Sequence, residues 1–299
     1  MKTAILTDSN SGIFPDEGAK LGIFVMPMPV ILDGAEYFEG VNLTPKEFYQ
    51  RIVEGADVST SQPSPGNVIF MFDRIFSEGY DELVYIPMSS GLSSSYQTAQ
   101  MLSEEYEGRA QIVDNHRVSV TLHASVLHAK ALAEQGVRAR EIRIALENAA
   151  MDSIIYLGVN TLKYLKKNGR CTPAVAALGD VLGIKPLLVC QGGRFDRCCL
   201  PRSVSACQKA LLERARDAAD ALRTDDRKLD IGAASTFVYS EAEREWEQQI
   251  REAFPKDHVH YEPLSFSIAC HTGPNAFGLG ITCNTQDKEN RGSMQECCR

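Results

Sequence analysis

Hydrophobic positions along this chain change their spacing several times, and each change marks a new element. Thr3 to Leu6 is a short apolar run and Gly22 to Met26 another; both have the length and content of strands. Ile31 to Phe38 is interrupted by Asp33-Gly34, the pattern of a hairpin with an Asp-Gly turn. Thr44 followed by Pro45 supplies a cap and a rigid first helical residue, predicting a helix through Val53. A second helix opens at Pro65 and carries Val68, Ile69, Phe72, Ile75 and Phe76 on one stripe. Leu83 to Ile86 is continuously apolar, as a strand buried on both faces would be. A serine-rich turn leads from it into a helix from Ser93 to about Tyr106, with Ser93 at the expected N-cap. Ala110 to Val113 reads as the next strand, followed by helices over Val118 to Glu134 and Ala139 to Ala150. Strand and helix alternate up to about residue 150, which predicts a largely parallel sheet covered by helices.

The pattern then becomes mixed. Ile154 to Val159 is a strand, and a short helix over Leu162 to Lys167 is closed by Asn168-Gly169. Ile184 to Val189 turns at Gln191-Gly192-Gly193 into a partner strand from Arg194 to Leu200. A long amphipathic helix (Ser203 to Leu222), a strand (Leu229 to Ala234), a helix (Glu241 to Phe254) and strands near His258–Tyr261 and Gly278–Thr282 complete it. The expected fold is therefore α/β: residues 1–150 an N-terminal domain with a largely parallel sheet, and 151–283 a second, α+β domain. Residues 284–299, polar and unpatterned, read as a disordered tail.

Length supports the division, since 299 residues exceed what one core usually organises. The net charge of −8 argues against nucleic acid as a partner and leaves membrane contact at most transient. The longest apolar run, Leu21 to Leu32, is too short to span a bilayer and is broken by Pro27 and Pro29. No signal-peptide pattern opens the sequence, and the nine cysteines are odd in number and irregularly spaced. Both features point to reduced thiols and a cytoplasmic location.

Candidate chemistry concentrates in hydroxyl-rich turns. Ser89-Ser90-Gly91-Leu92-Ser93-Ser94-Ser95 follows a strand and opens a helix, the edge of an open α/β sheet where ligands bind. One serine would suffice for a cap, so the excess favours an anion cradle. Thr60-Ser61-Gln62-Pro63-Ser64-Pro65 is a second such turn, stiffened by its prolines, although an ordinary cap explains it equally well. Thr7-Asp8-Ser9 after the first strand is a weaker third. Arg170 stands just past a helix end, where most arginines are solvated. His271 heads a Gly-Pro loop, His271-Thr272-Gly273-Pro274-Asn275, and taken alone reads as structural. His258 and His260 alternate on a strand and face one way without a third ligand nearby, so no metal site is expected.

Neither G-x-G-x-x-G nor G-x-x-x-x-G-K-[ST] occurs, which removes those routes to nucleotide binding. Gly91-Leu92-Ser93-Ser94-Ser95 approaches the hydrolase elbow G-x-S-x-G, with His271 late in the chain. A serine esterase using Ser93 and His271 is thus the competing reading.

With these residues in place, the chain resembles the DegV family, the FakB-like bacterial fatty-acid-binding proteins. The resemblance runs to about Cys283 and rests on Thr7-Asp8-Ser9, Ser59-Thr60-Ser61-Gln62-Pro63-Ser64, Ser89-Ser90-Gly91-Leu92-Ser93, Val113-Asp114, Leu162 through Gly169-Arg170, Ile184-Lys185-Pro186 and His271-Thr272-Gly273-Pro274. It implies two α/β domains enclosing one long-chain fatty acid, no cofactor, no catalytic residue and no metal. It places the carboxylate on Thr60, Ser61 and Ser93, with His271 in the same hydrogen-bond network and Arg170 near the entrance, and Ser94 and Thr272 are expected among the ligand-binding residues. It further implies a partner, a dihydroxyacetone-kinase-like ATP-binding protein that converts the bound acid to acyl phosphate for phospholipid synthesis. Where the family commonly reads Gly-Leu-Ser-Gly-Thr, Ser94 and Ser95 stand here, adding a Cβ beside the expected head group; Cys171-Thr172 replaces Ile-Ser after Gly169-Arg170.

Overall fold

The computed structural model describes residues 1–178, 183–223, 229–237 and 240–283; the expected tail, 284–299, lies outside them. The first half contains β1 (Thr3–Asp8), α1 (Pro15–Leu21), β2 (Phe24–Met26), β3 (Pro29–Leu32), β4 (Ala35–Phe38), α2 (Pro45–Val53), β5 (Val58–Thr60), α3 (Pro65–Ser77), β6 (Glu82–Ile86), α4 (Ser95–Ser103), β7 (Ala110–Ile112), α5 (Val120–Glu134) and α6 (Ala139–Asn148). Four of these strands form a parallel sheet in the order β2-β1-β6-β7. All five residues of β6 are buried, which is why its sequence shows no alternation.

The Asp33-Gly34 hairpin forms with φ of 50° and 84° at its two turn residues, the left-handed pair a tight antiparallel turn requires. It belongs to a separate antiparallel sheet, β4-β3-β5, which the sequence reading did not anticipate. Helix α2 starts and stops where expected, with a reciprocal Thr44–Glu47 capping box. On α3, Val68, Phe72 and Ile75 are buried, but Ile69 is exposed and stands off the stripe.

The second half contains β8 (Ser153–Gly158), α7 (Lys163–Lys167), α8 (Pro173–Ala176), β9 (Leu187–Cys190), β10 (Asp196–Cys199), α9 (Val204–Leu222), β11 (Leu229–Ser235), α10 (Ser240–Ala253), β12 (His258–Pro263), α11 (Phe266–Thr272) and β13 (Phe277–Cys283). Its six-stranded sheet runs β10-β9-β8-β13-β11-β12, with only β11 and β12 parallel. This mixed sheet beside a parallel one is the α/β plus α+β architecture expected.

Two short helices, α8 and α11, escaped the sequence reading because neither is long enough to display a period. Ser265 caps α11 by accepting from Ile268 N at 3.2 Å. His271 and Thr272 therefore lie in the last turn of a helix, and do not head a loop.

Helix α5 is what joins the sheets. A surface helix is apolar on one stripe, yet α5 buries Val120, Leu122, Val126 and Ala129, among others, because it packs on both sheets. Gly232 and Gly280 are register partners on β11 and β13. Together they form a notch that receives Val120, with no room for a Cβ on either. A continuous apolar cluster consequently runs from Ile5 and Val84 through Leu122 to Leu157 and Leu188. Among the described residues no helix is long and apolar enough to cross a membrane.

Candidate functional site

β1 and β6 are parallel neighbours, so the turns that follow them emerge at one sheet edge. The first, Thr7 to Ser11, is entirely buried and spends its polar groups on structure. Thr7 Oγ1 donates to Ile86 O at 3.0 Å, Ser9 Oγ accepts from Met28 N at 3.0 Å, and Asn10 Oδ1 accepts from Ser265 Oγ at 3.0 Å. Asp8 accepts from Asn10 N at 3.0 Å and Met88 N at 2.9 Å, fixing the entry to the serine turn.

Burial pushes the Asp8 carboxyl up to about 6, against the opposing pull of those two N–H donors. The folded chain therefore holds a proton that the unfolded chain has released between about pH 4 and 6, and stability falls as pH rises through that window. Asp8→Asn cannot titrate. Its stability relative to the native chain is expected to improve by on the order of 3 kcal/mol between pH 4 and 7. Parallel curves of Tm against pH for the two proteins would contradict this.

The second turn departs from the sequence expectation by two residues. Leu92 N and Ser93 N both donate to Ser89 O, at 3.0 and 3.1 Å, closing a tight turn ahead of α4. Ser94 precedes the helix and makes no side-chain cap; Ser93 Oγ instead accepts from Ser95 N at 3.2 Å and pairs with Ser95 Oγ at 2.9 Å. Across the sheets, Ser89 Oγ donates to Gly192 O at 2.6 Å. A Cβ at Gly91 would stand 2.8 Å from that same carbonyl and 3.0 Å from Gly193 Cα. Glycine at 91 thus lets the serine turn close on the β9–β10 hairpin.

Beside this turn is a cavity of about 780 Å³, counting the open space at its mouth. Thr60, Ser61, Ser93, Arg170, His271 and Thr272 all line it, brought together from β5, the serine turn, the end of α7 and the end of α11. Ser94 does not line it and is exposed, so the added Cβ that set this chain apart from the common family pattern points at no head-group space.

Thr60 Oγ1 lies 2.8 Å from His271 Nε2, and His271 Nδ1 is buried without a hydrogen-bond partner among the described residues. Burial first, then the nearby Arg170 charge, depress the His271 pKa to about 3, so the ring is neutral. Arg170 is half-buried: Nε donates to Leu92 O at 3.1 Å and Nη1 to Asn168 O. These bonds hold Arg170, the one cation among the described lining residues, beside the serine turn. The rest of the lining is largely apolar, including Met28, Met88, Leu92, Leu157, Leu165 and Phe195.

Ser93 and His271 do not form the pair a hydrolase needs. Ser93 Oγ is engaged with Ser95, His271 Nε2 with Thr60, and among the described residues no carboxylate meets His271 Nδ1. An imidazole with pKa near 3 is also a poor general base at neutral pH.

Sequence reading missed the cavity floor. Ala234, Gly278, Gly280, Ile155 and Leu157 share a sheet face by register, and their small members leave the space. The alternation Phe277-Gly278-Leu279-Gly280-Ile281 carried that signal. Ser119 was also missed; it lines the cavity at φ 55°, a conformation costly for serine, held by its N–H bond to Asn10 O at 2.9 Å. The expectation that His258 and His260 lack a third ligand is corrected as well, because Asp230 on β11 pairs in register with His258.

Fold and cavity define an α/β protein whose parallel-sheet edge and mixed sheet enclose an apolar space headed by hydroxyls, an imidazole and a guanidinium. The family model of the DegV family of uncharacterised proteins matches residues 2–284, and the chain belongs to that family. A DegV domain-containing protein of Deinococcus radiodurans is 36% identical over 197 residues, covering 66% of this chain and 70% of the relative. Another from Listeria monocytogenes is 30% identical over 93% of this chain and 97% of its own length. A Thermus thermophilus DegV family protein described for its fatty acid binding superposes with TM-score 0.84 at 29% identity, covering 95% of this chain and all of that one. A DegV lipid-binding protein of Thermotoga maritima gives 0.81 at 25% identity, covering 94% and 98% respectively.

Proposed function

We propose that this chain binds one long-chain fatty acid, tail in the apolar cavity and carboxylate against Thr60, Ser61 and Ser93, and presents that carboxylate to an ATP-using kinase partner in the cytoplasm. The observation that carries the reading is the Thr60–His271 contact at the polar head of an otherwise apolar cavity. The fatty-acid-binding relative from Thermus thermophilus supports the ligand class. The two units, residues 1–150 and 151–283, would hold the acid between them.

The energetics suit such a ligand. Burying ~15 methylenes at ~0.8 kcal/mol each contributes roughly 12 kcal/mol before ordering costs. An unpaired buried carboxylate would cancel much of this, so several donors must meet it. A neutral His271 donating from Nε2 to Thr60 Oγ1 leaves the threonine hydroxyl proton for the ligand. The acid is then held without a cation bonded to every oxygen. One carboxylate oxygen can attack the γ-phosphorus of ATP on the partner, breaking the bond to ADP and leaving an acyl phosphate.

Mass spectrometry of lipid extracted from purified protein is expected to find a long-chain fatty acid in stoichiometric amount. No lipid, together with fluorophosphonate labelling at Ser93, would instead support the esterase. With the kinase added, Ser93→Ala and His271→Ala are expected to slow acyl-phosphate formation; unchanged turnover in both would end the presentation role.

A further inference from the structure

Away from the cavity, the edge strand β12 places His258, His260 and Glu262 at alternate positions on one face. Its parallel neighbour β11 sets Asp230 beside His258. His258 Nδ1 lies 2.8 Å and His260 Nδ1 3.5 Å from the same oxygen, Asp230 Oδ1. On the far side of the His260 ring, Nε2 is 3.2 Å from Glu262 Oε1, which is also 2.9 Å from His123 Nδ1 on α5. Three histidines and two carboxylates, drawn from β11, β12 and α5, therefore form one connected group.

The group is sunk except at one point: the His258 side chain is 70% exposed, and that of Asp230 12%. Both His260 nitrogens, His123 Nδ1 and Glu262 Oε2 are buried without a well-directed hydrogen bond among the described residues. Asp230 Oδ1 and His258 Nδ1 are hydrogen-bonded to each other at 2.8 Å, a bond that a cation between them would replace, while His260 Nδ1 has no hydrogen-bond partner among the described residues. Tetrahedral zinc bonded at about 2.0–2.2 Å to histidine nitrogen and carboxylate oxygen sets its ligand atoms ~3.4 Å apart. The ligand atoms of Asp230, His258 and His260 all lie within 4.8 Å of one another.

We infer that Asp230 Oδ1, His258 Nδ1 and His260 Nδ1 bind a divalent transition cation, zinc by their donor chemistry, with Glu262 Oε1 3.2 Å from the outer nitrogen of His260 and within reach to hold it once the ring turns to the metal. A histidine ligand backed by a carboxylate on its other nitrogen is a recurrent means of fixing ring orientation at zinc centres. The fourth position opens to solvent beside His258. Because Glu262 also meets His123, the centre ties the edge of the mixed sheet to α5.

The test is calorimetric titration of chelator-treated protein with Zn2+, repeated with Co2+ to read the ligands from its visible spectrum. Saturable one-to-one binding is expected, weakened at least ~10-fold by Asp230→Asn or His260→Ala and roughly 10- to 100-fold by Glu262→Gln. His258→Ala is the decisive variant, because that exposed side chain can be removed without disturbing the fold. It too is expected to weaken binding at least ~10-fold, with far-UV circular dichroism unchanged. Any of three outcomes overturns the proposal: no saturable binding, equal affinity in His258→Ala, or a thiolate charge-transfer band showing that cysteines such as Cys198 and Cys199 hold the metal.

Discussion

Thr60→Val is expected to weaken binding of palmitate by roughly 10- to 150-fold, the equivalent of about 1.5–3 kcal/mol for a hydrogen bond to a charged group. Valine keeps the shape of threonine, so the apolar cavity is undisturbed. What disappears is the hydroxyl that pairs with His271 Nε2 and is proposed to meet the head group. His271 Nε2 also loses its hydrogen-bond partner, while its Nδ1 has none among the described residues. Calorimetry with delipidated protein measures the change; an affinity within twofold of the native value would remove Thr60 from the head-group site.

Gly232→Ala should produce the largest loss of stability. A Cβ at this position would lie 2.2 Å from Val120 Cβ, and one on its register partner Gly280 would lie 2.5 Å from Val120 Cγ2. Helix α5 cannot retreat easily, since its opposite side packs on the parallel sheet. Overpacking of this kind costs typically ~1–3 kcal/mol and sometimes more. For a protein of this size that corresponds to a fall in Tm of roughly 2–5 °C. Adding Val120→Gly should recover part of the loss, because the two positions touch and their effects cannot be additive. A Tm unchanged by Gly232→Ala would mean that α5 is not seated in the notch. Ser119 and Val120 also line the cavity, so the same substitution should perturb lipid binding.

Local patterns told most where local forces decide. Thr44-Pro45, the Asp33-Gly34 turn and the Gln191–Gly193 hairpin each form as their residues dictate, because caps and tight turns depend on a few adjacent φ, ψ values. The start of α4 was misplaced because five serines offer several competing side-chain to backbone bonds, and only the packed structure selects Ser93 Oγ with Ser95 N. His271 was misread as a loop residue because the helix that carries it is seven residues long. Asp230 was invisible as a neighbour of His258 because they are 28 residues apart and meet only through a parallel strand register.

By itself, then, the sequence determined the order of strands and helices apart from β5, α8 and α11, the parallel character of the first sheet, and the hydroxyl-bearing turns that supply a polar head. Tertiary structure alone decided that Thr60, Ser93, Arg170 and His271 line one cavity, that Thr7 to Ser11 is consumed as scaffold, and that α5 lies between two sheets. The physical reason is range. Turn and cap preferences act over three or four residues, whereas cavity walls and side-chain clusters arise from contacts such as Thr60 with His271, separated by 211 positions, whose closure only the packed core enforces.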